Sequence, residues 1–390
     1  MKNTNAQAKF DVLLNEKYSQ RTRSQNITAT SIDASKWDLE GSFELNLDRF
    51  PNLQELDYSN NSLIGITFTS SHGKNYLDKK SKFAWKLKKL NLSNNKFEQD
   101  LSFLAELTEL EELSLANNKF FGSLEPLKNL TKLKKLDISG TDIDSGLEYL
   151  PENLKMICSS DTKNPKSTSL SRRWEKRVLI SSFCQAAENN DEWEVKKFLS
   201  DNREVIDLQD KYGNTALHYA VLKGNNEIMD LLLQSEARVD IKGNYDFTPL
   251  HIAVGQEYLG ITLELLEKGA DPNSRDDEGN TTLHLAAEGN NLELLKLLKK
   301  KGGEINAENN YNWSVLHSAA SGLIKTAGEE DNWEIIKWLL KQGAKTEIKT
   351  ESGLEVKDVF AEVGSSYVEK YKKLIIDSKT SCMIGSSRNQ

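Results

Sequence analysis

Apolar residues follow two different rhythms along this chain, and the change near its middle divides it. Between Leu53 and Ile143 the spacing is L-x-x-L-x-L-x-x-N-x-L: LQELDYSNNSL from Leu53, LKKLNLSNNKF from Leu87, LEELSLANNKF from Leu110 and LKKLDISGTDI from Leu133. Alternation inside each L-x-L predicts a short strand with its leucines turned inward and the intervening residues outward. Beyond residue 178 the apolar positions sit at helical spacing, as in the runs Leu231–Leu233, Leu294–Leu298 and Ile335–Leu340. There GNTALHYA, DFTPLHIA, GNTTLHLA and NWSVLHSA set His218, His251, His284 and His317 each 33 residues apart. A fixed period of that length means stacked units that touch only their neighbours.

The first array resembles the leucine-rich repeat. Its units start 34, 23 and 23 residues apart, which places an insertion near Thr69 to Lys80. An eroded unit is expected from Ile27 through Ile32 to Trp37, and a last one at Leu154 to Cys158. The resemblance implies a parallel sheet with the outward residues on its concave face, and buried amides at Asn61, Asn95 and Asn118 that satisfy backbone groups at each turn. The concave rows then read Glu55, Lys89, Glu112, Lys135; Asp57, Asn91, Ser114, Asp137; and Ser59, Ser93, Ala116, Ser139. Opposite charges about 4.8 Å apart in the first row neutralise one another. Whether this face binds a ligand or only stabilises and spaces the array is left open. Phe10, Leu13, Leu14 and Tyr18 predict an amphipathic capping helix before it.

The second array resembles the ankyrin repeat, a β-turn followed by two short antiparallel helices. Thr215, Thr248, Thr281 and Ser314 stand where a hydroxyl caps a helix start, and Pro249 where a missing N–H does no harm. Counting back 33 from His218 reaches Gln185, so the array begins by about residue 178 with an altered first unit. An eight-residue insertion is placed at Gly322 to Glu330. Asp358 takes the histidine position in a last unit closed by a helix from Tyr367 to Ile376. The expected fold class is therefore a multidomain repeat protein, an α/β leucine-rich-repeat solenoid followed by an all-α ankyrin-repeat solenoid. Its parts are a capping helix at 1–26, the first array at 27–158, a basic Ser/Thr-rich linker at 159–177, the second array at 178–376 and a flexible tail at 377–390.

Charge sharpens this division. The formal net charge of −8 splits into about −1 over residues 1–158, +4 over 159–177 and −11 over 178–390. An acidic chain is a poor partner for nucleic acid or anionic lipid. No apolar run approaches the roughly 18 residues of a membrane span, and the amino terminus has no leader pattern. A cytoplasmic protein is expected, with the nucleus possible through Arg172, Arg173, Lys176 and Arg177. Ser167, Thr168, Ser169 and Ser171 beside those bases are candidate phosphorylation sites.

Candidate chemistry is sparse. The four histidines form a row across the stack instead of converging, which suits structural hydrogen bonding. Cys158, Cys184 and Cys382 show no metal-ligand spacing. A phosphate loop, an H-E-x-x-H pair and a G-x-S-x-G elbow are all missing, so the expectation is no enzyme and no cofactor. The positions that the repeat does not dictate remain. The resemblance implies contacts from the β-turn fingertips: Lys211, Tyr212 and Asn214; Asn244, Tyr245 and Phe247; Asp277, Glu278 and Asn280; Asn310, Tyr311 and Trp313. On the inner helices it adds Lys223, Gln256 and Glu288. Aromatic residues at turns that should face water point to binding hot spots. The function expected is a non-enzymatic scaffold or adaptor for one or more proteins. The alternative is a regulatory or sensing subunit of a signalling or ubiquitin-ligase complex, and nucleic-acid binding ranks below both.

Overall fold

The computed structural model describes residues 4–18, 29–69, 85–151, 154–157, 164–325 and 333–386. The chain divides into two compact units, Met1–Val178 and Leu179–Gln390.

In the first unit helix α1 (Thr4–Tyr18) precedes ten strands among the described residues: β1 Ser31–Asp33, β2 Glu40–Asn46, β3 Glu55–Asp57, β4 Ser62–Thr69, β5 Lys89–Asn91, β6 Glu112–Ser114, β7 Phe121–Ser123, β8 Lys135–Asp137, β9 Asp142–Ser145 and β10 Lys155–Ile157. Six of them make one parallel sheet in the order β1-β3-β5-β6-β8-β10. The eroded units at both ends are thus full members of the array. Leu56, Leu90, Leu113 and Leu136 point inward and are buried, as are Tyr58, Leu92, Leu115 and Ile138 two residues later. Each such side chain contributes about 1.5–3 kcal/mol by leaving water. Helix α1 closes the open end with Phe10, whose ring lies 5.6 Å from Tyr58 and 6.0 Å from Trp37.

The asparagine ladder runs as expected. Asn118 Nδ2 donates to the carbonyls of Leu92, Leu115 and Ala116, and its Oδ1 accepts from Phe97 N–H. Asn95 and Asn61 repeat the pattern one and two units earlier. One amide therefore ties two turns together and satisfies four backbone groups that would otherwise be buried unpaired. Thr141, at the same position in the next unit, reaches the Ile138 carbonyl with its hydroxyl. Strands β2 and β4 pair in parallel on the far side, and glutamine amides cover both of their outer edges: Gln7 Oε1 accepts from Glu44 N–H, while Gln99 both accepts from and donates to the backbone of Ile66.

Helix α2 (Pro165–Glu188) belongs to the first unit as far as Val178, and from Leu179 the second unit is a stack of helix pairs with α3 Glu192–Asp201, α4 Ala216–Lys223, α5 Asn226–Gln234, α6 Pro249–Gly255, α7 Leu259–Glu267, α8 Thr282–Glu288, α9 Leu292–Lys300, α10 Val315–Lys325, α11 Trp333–Lys341, α12 Val356–Ala361 and α13 Ser365–Ser386. Its core runs without a break from Phe183 to Tyr371. Ala220, Ala253, Ala286 and Ala319 are buried between neighbouring inner helices, where a longer side chain would hold the units apart. Trp333, Phe360, Tyr367 and Tyr371 form an aromatic cluster that finishes the stack.

Three expectations need revision. Residues 165–177, read as linker from their composition, belong to α2, because Leu170 and Trp174 lie four apart on one helix face and are buried in the first unit's core. Ser167 and Ser171 are buried on the same helix, which removes them as accessible phosphorylation sites. Of the tail expected at 377–390, helix α13 takes in the residues as far as Ser386, no proline falling between Ile376 and Ser386. Most of the insertions near Thr69–Lys80 and Gly322–Glu330 lies outside the described residues; up to Lys325 the latter lengthens α10.

Candidate protein-interaction surface

The histidine row explains how the fingertips are held. Thr215 N–H donates to His218 Nδ1 (3.2 Å), which leaves the proton on Nε2, and Nε2 donates to the Phe247 carbonyl of the next unit (3.1 Å). His251, His284 and His317 repeat this toward Asn280, Trp313 and Leu354. Both ring nitrogens are spent on backbone, one within a unit and one between units. Burial disfavours the imidazolium and holds all four below the ordinary histidine range, His284 at about 4. At the histidine position of the last unit Asp358 accepts from Glu355 N–H (2.9 Å), keeping the cap but not the bridge. The buried thiol of Cys184 is pushed up to about 12 by desolvation, the state of an inert sulfur.

Each finger hangs from this row. Asp210 Oδ1 accepts from the N–H groups of Tyr212 and Asn214, and Asn309 Oδ1 does the same for Tyr311 and Trp313. Backbone bonds then join tip to tip: Asp277 N–H to Tyr245 O (3.1 Å), Asn310 N–H to Glu278 O (2.9 Å) and Glu351 N–H to Tyr311 O (3.0 Å). The second finger differs. Gly243 replaces the Asp or Asn acceptor, because a Cβ there would run into the His218 ring. Without that acceptor the turn winds left-handed at two residues, Tyr245 (φ 55°) and Asp246 (φ 56°), where the other tips use one, at Gly213, Gly279 or Asn312.

On this scaffold the expected contact residues separate into two groups. Tyr212, Tyr245 and Tyr311 are 55, 65 and 49 % exposed, in one row with Glu278. Lys211, Asn244, Asp277 and Asn310 form the exposed row beside them, and Lys211 Nζ lies 4.7 Å from the centre of the Tyr212 ring. The second group serves the stack. Phe247 and Trp313 are half-buried, their rings 5.7 and 5.6 Å from His251 and His317, and their carbonyls are histidine acceptors. Asn214 Oδ1 accepts from Asn244 N–H, and Asn280 accepts from the amide of Asn309. These four were expected at the surface because exposure at a turn is not legible from a repeat position.

On the inner helices Lys223 pairs with Glu188 (3.1 Å) and Glu288 with Lys325, each joining neighbouring units, while Gln256 is exposed. By the 33-residue period Gly289, not Glu288, matches Lys223 and Gln256. Sequence reading missed Glu351 and Ser352, which continue the two tip rows after the insertion. The 41-residue step from Gly302 to Gly343 is the signal that finds them.

On the first unit's concave face the charge ladder forms as read. Lys89 lies 3.1 Å from Glu55 and 3.9 Å from Glu112, and Lys135 lies 3.4 Å from Glu112.

Comparison with known families agrees with both arrays. Residues 183–276 and 260–350 match the family model "Ankyrin repeats (3 copies)", and residues 85–129 match "Leucine Rich repeats (2 copies)". No curated protein matches the chain. Both repeat types are generic protein–protein interaction modules, and among the described residues no helix is long and apolar enough to cross a membrane.

Proposed function

We propose that this chain, which carries leucine-rich repeats in its amino-terminal half and ankyrin repeats in its carboxy-terminal half, is a non-enzymatic adaptor that holds a protein partner across its ankyrin fingertips and the adjoining inner-helix face. The observation behind this reading is the row of solvent-exposed tyrosines, Tyr212, Tyr245 and Tyr311, on tips tied to one another, the first to the second through the Asn214 side chain and the later ones through the backbone. A tyrosine immobilised on a rigid support contributes contact area at little entropic cost, and large aromatic groups left in water are the residue type on which interfaces concentrate their energy. Left-handed backbone at Tyr245, a strained conformation for an aromatic residue, is the kind of local cost that persists at functional sites. The leucine-rich face, its charges paired with each other, suits a stabilising and spacing role.

Changing Tyr212, Tyr245 and Tyr311 together to alanine tests the reading. Proximity labelling in the source cell, compared between this variant and the unaltered chain, is expected to lose the partner while circular dichroism stays unchanged. Retention of the same labelled partner by a folded variant refutes the site.

A further inference from the structure

The charge around the tips narrows the chemistry of that partner; this step rests on the reading of the fingertips as the binding surface. In the two tip rows the groups from the second finger onward are acidic or neutral, while the nearby cations are spent within the chain, Lys242 on Asp246 (3.0 Å) and Arg275 on the Glu308 carbonyl (2.7 Å). Asp277, Glu278 and Glu351 stand beside Tyr245 and Tyr311, and among the described residues no lysine or arginine pairs with any of the three. Elsewhere on the surface some carboxylates, among them Glu55, Glu111, Glu188, Glu288 and Glu334, are paired with a lysine. Aromatic rings alternating with unpaired carboxylates present two attractions to the same ligand group, because a cation over a ring face and a cation beside a carboxylate are both favourable. The first finger shows the mode inside the molecule: Lys211 lies over the face of Tyr212, so one tip already carries a cation on its tyrosine. At the later tips that cation is missing from the chain itself, since Asn244 and Asn310 take the place of Lys211 before Tyr245 and Tyr311.

We infer that the fingertip row from Tyr245 to Glu351 binds an extended, arginine- or lysine-rich segment of a protein partner, whose cations stack on Tyr245 and Tyr311 and pair with Asp277, Glu278 and Glu351. The row so defined begins one finger after Lys211, whose own cation already lies on Tyr212. Planar guanidinium serves ring and carboxylate together, so arginine binds better than lysine. A nucleic-acid ligand is opposed by the same carboxylates.

The test uses the full-length chain and three labelled twelve-residue peptides, alternating glycine with arginine, lysine or glutamate, followed by fluorescence anisotropy at low and moderate salt. The arginine peptide is expected to bind most tightly, at least ~10-fold more tightly than the glutamate peptide. Its affinity is expected to drop ~10-fold or more in Tyr245→Ala/Tyr311→Ala and in Asp277→Asn/Glu278→Gln, with less loss in Tyr212→Ala. Equal affinity for arginine and glutamate peptides overturns the inference. So does arginine-peptide binding that neither double variant weakens, which is diffuse attraction to an acidic chain. The inference and the underlying reading fail separately. A cellular partner that is lost on tyrosine substitution yet contacts the tips through an acidic or neutral segment refutes the cationic ligand alone, whereas a partner retained by the tyrosine variant refutes both.

Discussion

Tyr245 is held at φ 55°, a region that a residue with a Cβ enters at a cost of about 1 kcal/mol. Replacing it with glycine removes that cost and only an exposed ring. Tyr245→Gly is therefore expected to raise the stability of the chain by about 0.5–1 kcal/mol while weakening partner binding, and Tyr245→Ala to weaken binding with no gain in stability. Urea denaturation of the two variants decides it, and equal midpoints would show that the turn carries no strain. Asn118 is the opposite kind of residue, buried with its amide divided among four backbone groups. Asn118→Ala leaves those groups without partners and is expected to cost about 2–4 kcal/mol, again read by urea denaturation. Thr141→Val, which removes one hydroxyl bond in the next unit, should cost clearly less.

At the scale of elements, α2 illustrates how composition misleads. Serine, lysine and arginine between Pro165 and Arg177 suggest a linker, but two apolar residues suffice to dock a helix when their spacing matches its turn. Arg177 strengthens the attachment, its guanidinium donating to the Leu147 carbonyl (2.6 Å) and lying over Trp174. Trp174→Ala is expected to destabilise the first unit by about 3–5 kcal/mol, visible as lost amide protection in the leucine-rich strands under hydrogen exchange. Edge control of the β2–β4 pair depends on single side chains. Gln99→Ala removes two bonds to Ile66 and uncovers the edge of β4. The expected result is a loss of about 1–2 kcal/mol and concentration-dependent association in light scattering, because an open strand edge invites another strand.

For the whole molecule, acidity should act on the two units unequally. The four buried histidines all belong to the second unit, and their folded values lie below the unfolded value near 6.5. Between the folded and unfolded values the unfolded chain binds more protons, so the stability these groups contribute is present above about pH 6.5. It falls as the pH drops toward the folded values. For His284, lowered to about 4, the loss is roughly 3 kcal/mol over that window. Hydrogen exchange at pH 5 is expected to show α4, α6, α8 and α10 opening before the strands of the first unit, and His284→Gln to flatten part of the difference. Identical acid sensitivity of both units would contradict this account.

Much of this architecture was legible in the residues themselves, because a repeat announces itself by returning. The 23-residue and 33-residue periods determine the strand faces, the asparagine and histidine ladders, and the places of Ala220 and Ala253 between neighbouring helices. Each depends on contacts between positions a constant distance apart in the chain. Tertiary structure alone decided what depends on local departures from the period. Exposure of Tyr212 against burial of Trp313 follows from which way a turn leans, and the left-handed turn at Tyr245 follows from an approach between Gly243 and His218. The sequence places those two residues 25 apart without bringing them together. That Asp277, Glu278 and Glu351 stand beside the exposed tyrosines without a cation from the described residues likewise emerges only in space, since pairing depends on which lysines the fold brings near.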